Sequence, residues 1–279
     1  MSCRAALTIG LAFGASGFAQ AEAPLTGERI LRQALGNESR QNALREQYLY
    51  HEHVESGLFN GDGSPGKPKS TWDYEIVYLE GAPYRKLTGF NGKPLNPKQA
   101  AYEEEKMQKT AAERRADQAQ QKRKIVAIGV HMADVVRLMD HTLLREDEIG
   151  GRKVWVVDSK PARDAVAASA DDAKVLCYHY TYWIDQEDRV VAQVEYEVIR
   201  AGVDSEPGTR SRTVLAKENG SPWFRRSMNG DFLLKGPHGT NHVFERHRYS
   251  GFRKFDAQSD IQFAAPPAPA QPAGPFELQ

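Results

Sequence analysis

Residues 83–97 read PYRKLTGFNGKPLNP and residues 96–124 read NPKQAAYEEEKMQKTAAERRADQAQQKRK: a strand, a Gly-Lys turn, then a long polar helix set into a chain that is otherwise β-rich. Asn96 is placed to cap that helix, Pro97 to occupy its first position and Gln99 to reach back to the cap. Glu103, Glu104 and Glu105 come early and Lys122, Arg123 and Lys124 late, so the charges oppose the helix dipole, and Glu105 stands four residues before Lys109. Such a helix stabilises itself. Its charges read as a solvated face or an arm rather than as a polyanion site.

On either side of this insertion the apolar period is two. In residues 72–78 Trp72, Tyr74, Ile76 and Tyr78 share one face, with acids mainly on the other, the pattern of a strand in a half-buried antiparallel sheet. Tyr178, Tyr180 and Tyr182 repeat it, and Val190, Ala192, Val194, Tyr196 and Val198 are expected on one face of the next strand, with Gln193, Glu195 and Glu197 turned away. Residues 185–188 join these two as a hairpin, and Gly150-Gly151 joins an earlier pair. Further strands are expected at 209–217, 223–228, 231–234 and 242–252, nine or more in an antiparallel meander.

Helical spacing appears twice more. Ile30, Leu31, Ala34 and Leu35, with Leu44 beyond, predict a helix from about Gly27 to Glu46 capped by Thr26. Ile128, Met132, Val135, Val136 and Met139 predict a second, whose stripe packs on the sheet. Residues 264–279 are Pro/Ala-rich and are expected to be disordered.

Basic and acidic side chains both number 37 in the 279 residues, which argues against a nucleic-acid partner. A basic start, an apolar stretch and the small-x-small spacing Ala19-Gln20-Ala21 read as a secretory signal over residues 1–21. Its removal takes away Arg4 and Cys3, leaving one thiol, Cys177, in an aromatic strand, where a buried small hydrophobe is the expected role. The mature chain is expected to be periplasmic, with no transmembrane segment.

Chemistry-bearing motifs are scarce. His51 and His53 share a strand face, but zinc needs three or four ligands and His242 and His247 offer only loose support; HExxH is absent and no metal or other cofactor is expected. G-x-S-x-G and phosphate loops are absent too, and the chain is not expected to be an enzyme. What remains is an aromatic, apolar sheet face lined by Trp72, Tyr74, Ile76, Tyr178, Tyr180, Val194, Tyr196 and Val198, which forms either a filled core or a cleft for an apolar ligand.

The N-terminal helix leading into Tyr48-Leu49-Tyr50, with Pro83-Tyr84-Arg85-Lys86-Leu87 and Asn91-Gly92-Lys93-Pro94-Leu95 before a charged helix, resembles uncharacterised exported proteins related to the LolA/LolB-like lipoprotein-sorting superfamily. The similarity spans about Thr26 to Phe255, within a domain placed at 26–260 with its charged helical insertion at about 96–124. The resemblance implies a mainly β fold, an unclosed antiparallel β-barrel with helices packed on the concave face and an apolar cavity between. It also implies a non-enzymatic carrier or chaperone for an acyl chain, a lipoprotein or another apolar ligand. The other reading is a cell-envelope scaffold with a solid core, whose charged helix docks a partner.

Overall fold

The computed structural model describes residues 24–119, 132–202, 205–217, 220–237 and 239–254. The expected signal segment, the Pro/Ala-rich tail, and the residues around Lys122–Lys124 and Ile128 lie outside them. The chain opens with α1 (Gly27–Arg45), capped by the Thr26 hydroxyl, which accepts from the Arg29 amide at 3.2 Å. Four strands follow, β1 (Tyr48–Leu58), β2 (Ser70–Leu79), β3 (Ala82–Phe90) and the short β4 (Lys93–Pro94), then α2 (Pro97–Ala119) and α3 (Met132–Leu138). The remainder is β5 (Met139–Ile149), β6 (Arg152–Pro161), α4 (Ala170–Val175), β7 (Tyr178–Asp185), β8 (Val191–Val198), β9 (Arg210–Ala216), β10 (Phe224–Gly236) and β11 (Gly239–Lys254).

All eleven strands form one antiparallel sheet that does not close, ordered β4-β3-β2-β1-β11-β10-β9-β8-β7-β6-β5. This is the mainly β, unclosed architecture expected from the sequence, but it is two meanders rather than one. The first runs outward from β1 to the β4 edge; the second starts at the far edge with β5 and returns until β11 lies beside β1. The segments expected as separate strands at 223–228 and 231–234 merge, from Phe224 on, into the single long β10.

Local turn chemistry explains the hairpins. Asn91 (φ 50) and Gly92 (φ 70) both take positive φ between β3 and β4, as do Gly150 and Gly151 between β5 and β6, the twist that a two-residue hairpin turn demands.

Register carries one face across the whole sheet. Tyr182 pairs with Val194, Val194 with Thr213, Thr213 with Met228, Met228 with His247, His247 with Val54 and Val54 with Trp72. Directly opposed residues point to the same side, so these seven share what we term the inner face. There Ile30, Leu31 and Ala34 of α1 and Val135, Val136 and Leu138 of α3 pack on Trp155, Val157, Tyr180, Tyr182 and Ile184. α3 is the part of the second expected helix that is described.

Two expectations are corrected. Ala192 is an extra residue, because Trp183 pairs with Gln193 but Ile184 with Val191. This bulge sends Val190 and Ala192 to the outer face, against Val154 and Trp223, while Val194, Tyr196 and Val198 stay on the inner one.

The charged helix α2 is not on the inner side either: it packs on the outer face, with Met107 and Ala111 against Val77, Leu79 and Tyr84. It is bolted there rather than left as an arm. Buried Glu103 accepts from the Tyr84 hydroxyl at 2.8 Å and from the Leu87 amide at 3.2 Å, and Arg114 donates to the carbonyls of Leu79, Ala82 and Pro83. The expected capping box is formed, with Asn96 and Gln99 exchanging amide-to-side-chain bonds of 3.0 Å. Replacing Met107 by Glu places an unpaired charge in this contact. Hydrogen exchange of the α2 amides should then speed up by an order of magnitude or more, while the Val154–Val157 amides keep their protection.

Candidate functional site

The eight residues singled out from the sequence all lie on the inner face, as the register requires. Trp72 and Tyr74 are joined to Val194 and Tyr196 by the pairings of β1, β11, β10 and β9 between them. Their surroundings differ. Tyr180 is buried beneath α1 and α3, and Tyr178, Val194 and Tyr196 pack against the same cluster. The Tyr178 and Tyr196 rings meet edge-on at 5.3 Å and the Tyr180 and Tyr182 rings stack at 5.7 Å. Val198 and Ile76 are buried, whereas Trp72 and Tyr74 at the other half are part-exposed.

Beside Trp72 and Tyr74 the sheet carries a polar cluster that the sequence reading missed. Glu52 is only 3% exposed and His247 only 6%. His247 Nδ1 lies 2.7 Å from Glu52 Oε1, and the Tyr249 hydroxyl donates to the same oxygen at 2.8 Å. Arg85 Nε donates to Glu52 Oε2 at 2.6 Å while its guanidinium lies 4.1 Å from the centre of the Tyr74 ring. His247 Nε2 is 3.3 Å from Glu245, and Arg225 donates to the Tyr249 hydroxyl at 3.2 Å. Two pairings assemble this group: Glu52 opposes Tyr249 across β1 and β11 and opposes Tyr74 across β1 and β2.

A signal for it does exist in the sequence. Tyr50, Glu52 and Val54 have the parity of the apolar face, so Glu52 is an acid where a hydrophobe is due. Attention to His51 and His53, which turn outward, hides it.

Burial by itself pushes the Glu52 carboxyl up, but the hydrogen bond with His247, the Arg85 charge and the Tyr249 hydroxyl outweigh it and hold the carboxyl below the usual range. Burial likewise works against the charged form of His247; hydrogen bonds with Glu245 and Glu52 overcome it and raise the imidazole above its ordinary value. Burial also pushes the Tyr249 phenol up, to about 12, despite the nearby Arg225.

On the outer face, a groove of about 490 Å³ lies along Glu195, Glu197, Arg210, Arg212, Asp231 and Arg246. Its charges are already matched: Arg210 pairs with Glu197, Arg212 with Glu195 and Arg246 with Asp231. Among the described residues no three His, Cys, Asp or Glu side chains cluster as a metal site. No helix there is long and apolar enough to cross a membrane.

Linkage fixes the sign of a pH effect. A raised His247 stabilises fully below its ordinary value of 6.5 and loses that contribution as pH rises through the raised value; a lowered Glu52 stabilises above 4.5 and loses it as pH falls through the lowered one. The pair therefore contributes most between these limits. Thermal melts of the wild type should lose stability between pH 6 and pH 9, and His247→Gln should shrink that loss; equal losses in the two proteins would refute the charged pair.

No family model matches the chain, and no curated protein does. Among solved structures it is similar to a LolA superfamily protein from Nitrosomonas europaea, at 11% identity over 84% of this chain and 95% of that one, with a TM-score of 0.37. It is also similar to a putative outer membrane lipoprotein-sorting protein domain from Vibrio parahaemolyticus, at 11% identity over 82% and 95%, TM-score 0.37. A DUF1329 family protein from Desulfovibrio piger gives 12% identity over 85% and 96%, TM-score 0.33. At such identities and scores, what those proteins sort or bind is not carried over to this chain.

Proposed function

We propose that this chain is an exported, non-enzymatic periplasmic carrier or chaperone that shelters an acyl chain or another apolar ligand, a lipoprotein among them, between the inner face and its helices. The observation that carries this reading is the division of the inner face. α1 and α3 roof it over β5, β6 and β7, while Trp72, Tyr74 and Met228 on the same face remain part-exposed.

A ligand first meets Trp72 and Tyr74. Reaching Tyr178, Tyr180, Val194, Tyr196 and Val198 requires α1 and α3 to lift from the sheet, since those residues are otherwise occupied by the protein's own packing. Each methylene buried contributes about 0.8 kcal/mol to set against that displacement. The buried Glu52 and His247 already satisfy each other and present no free nucleophile, which favours binding over turnover.

The purified chain should bind a fluorescent fatty-acid analogue saturably. Trp72→Glu, which puts a charge on the apolar path, should weaken that binding about tenfold or more. Absence of saturable binding to the wild type removes this reading and leaves a solid-cored scaffold.

A further inference from the structure

Among the described residues the inner face holds a cation, Arg225, without an ion-pair partner. Arg85 is matched by Glu52 at 2.6 Å, and His247 lies between Glu52 and Glu245. Arg225 is different. Its hydrogen-bonding partner is the Tyr249 hydroxyl, a neutral group, and no carboxylate among the described residues stands within ion-pair distance of it. It is half-buried, next to the Tyr249 ring at 5.6 Å. Tyr50, whose ring lies 6.3 Å from that of Tyr249, and more weakly the Glu52 carboxylate beyond Tyr249, also act on its charge. With His247 charged, three cations here face two carboxylates. A guanidinium carries five N–H donors in a planar fork, so most of the Arg225 donors have no acceptor among the described residues, and since none of its nitrogens is sealed off without a partner they are open to water or to an anion that replaces it.

The position suits a head group. Tyr249 sits in the register row Tyr74–Glu52–Tyr249, and the next row, two residues along the strands and roughly 7 Å away, is Trp72–Val54–His247. An anion on Arg225, in β10, therefore lies on the inner face close to part-exposed Met228, with Trp72 and Tyr74 of β2 three strand spacings or about 14 Å away, within reach of its hydrocarbon.

We propose that Arg225 is the anchor for the carboxylate head of a single-chain amphiphile. The proposal rests on the carrier reading above and narrows it to ligands with an anionic end. The carboxylate accepts from the Arg225 fork, bidentately where geometry allows, and the Tyr249 hydroxyl, held between Arg225 and Glu52, keeps the guanidinium in place.

The test is displacement of a neutral apolar probe, N-phenyl-1-naphthylamine, from the full chain by laurate, dodecanol and dodecyltrimethylammonium. Laurate should displace the probe at concentrations about tenfold lower than dodecanol, the size of one charge-assisted hydrogen bond, and dodecyltrimethylammonium should be weakest. Arg225→Gln should abolish the preference for laurate without changing the affinity for dodecanol, and Arg225→Lys should retain part of it. Equal potency of all three amphiphiles on the wild type overturns the anchor while leaving the carrier reading intact. Failure of the probe itself to bind removes both. Should Arg225→Gln not fold, the comparison on the wild type decides alone.

Discussion

The pairing of β1 with β11 is the contact on which this molecule depends. It joins a strand near the start of the chain to one near the end of the described residues, over ten registered positions from Tyr48 opposite Lys254 to Leu58 opposite Val243. Without it the two meanders are separate sheets with exposed edges, and the inner-face residues of β1 to β3 are cut off from those that α1 and α3 cover on β5 to β7. Such a contact is expensive to form, since closing a loop of this length costs entropy before the ladder repays it. Its reward is collective: once it forms, the parity of every inner-face side chain from Trp72 to Tyr182 is fixed in one step.

The same seam explains why a buried acid and a buried imidazole sit where they do. Glu52 comes from β1, His247 and Tyr249 from β11, and Arg85 from β3, so the cluster is complete only when these strands are in register. A slip of one residue would move Glu52 to the outer face and leave His247 against Val54's neighbours without its acid. Buried polar groups of this kind add little net stability relative to a hydrophobic filling. They do penalise the wrong register, because each partner left alone would be a desolvated charge. The excess positive charge left by Arg225 is the one part of the cluster that such a register role does not account for.

Much of the local structure was legible in the sequence because its causes are local. Thr26, Asn96 with Gln99 and Gly150-Gly151 specify caps and a turn through atoms a few residues apart, and the structure uses each of them; the turn expected at Gly92-Lys93 falls one residue earlier, on Asn91-Gly92, with Lys93 already in β4. The inner-face residues were legible too, since period two survives in β2, β7 and most of β8. What was not legible depends on partners far along the chain. The Ala192 bulge arises from pairing with β7 and leaves no composition mark in a run of Val, Ala and Gln. The placement of α2 is set by two residues, Met107 and Ala111, amid a polar sequence that looks fully solvated. Glu52 was hidden because His51 and His53 beside it offered a more familiar pattern.

The position of α2 bears on how the sheet could open. A cavity that fills and empties needs one firm wall and one that moves. On the outer side, α2 ties β2 and β3 together through apolar contacts, the Glu103 bonds and the three carbonyls held by Arg114, so the edge that carries Trp72 and Tyr74 is braced from behind. On the inner side, α1 meets the strands through an apolar stripe, Ile30, Leu31 and Ala34, and is tied at its far end by Arg45 and Gln41 to the backbone of Trp223. Apolar contact is non-directional and can slide or be replaced by a hydrocarbon chain at small net cost, whereas buried hydrogen bonds and ion pairs hold one geometry. Under the proposed carrier reading α2 braces the wall that stays, while α1 yields only along its apolar stripe, since Arg45, Gln41 and Asn37 tie its C-terminal half to the backbone of Trp223, Asp188 and Arg189.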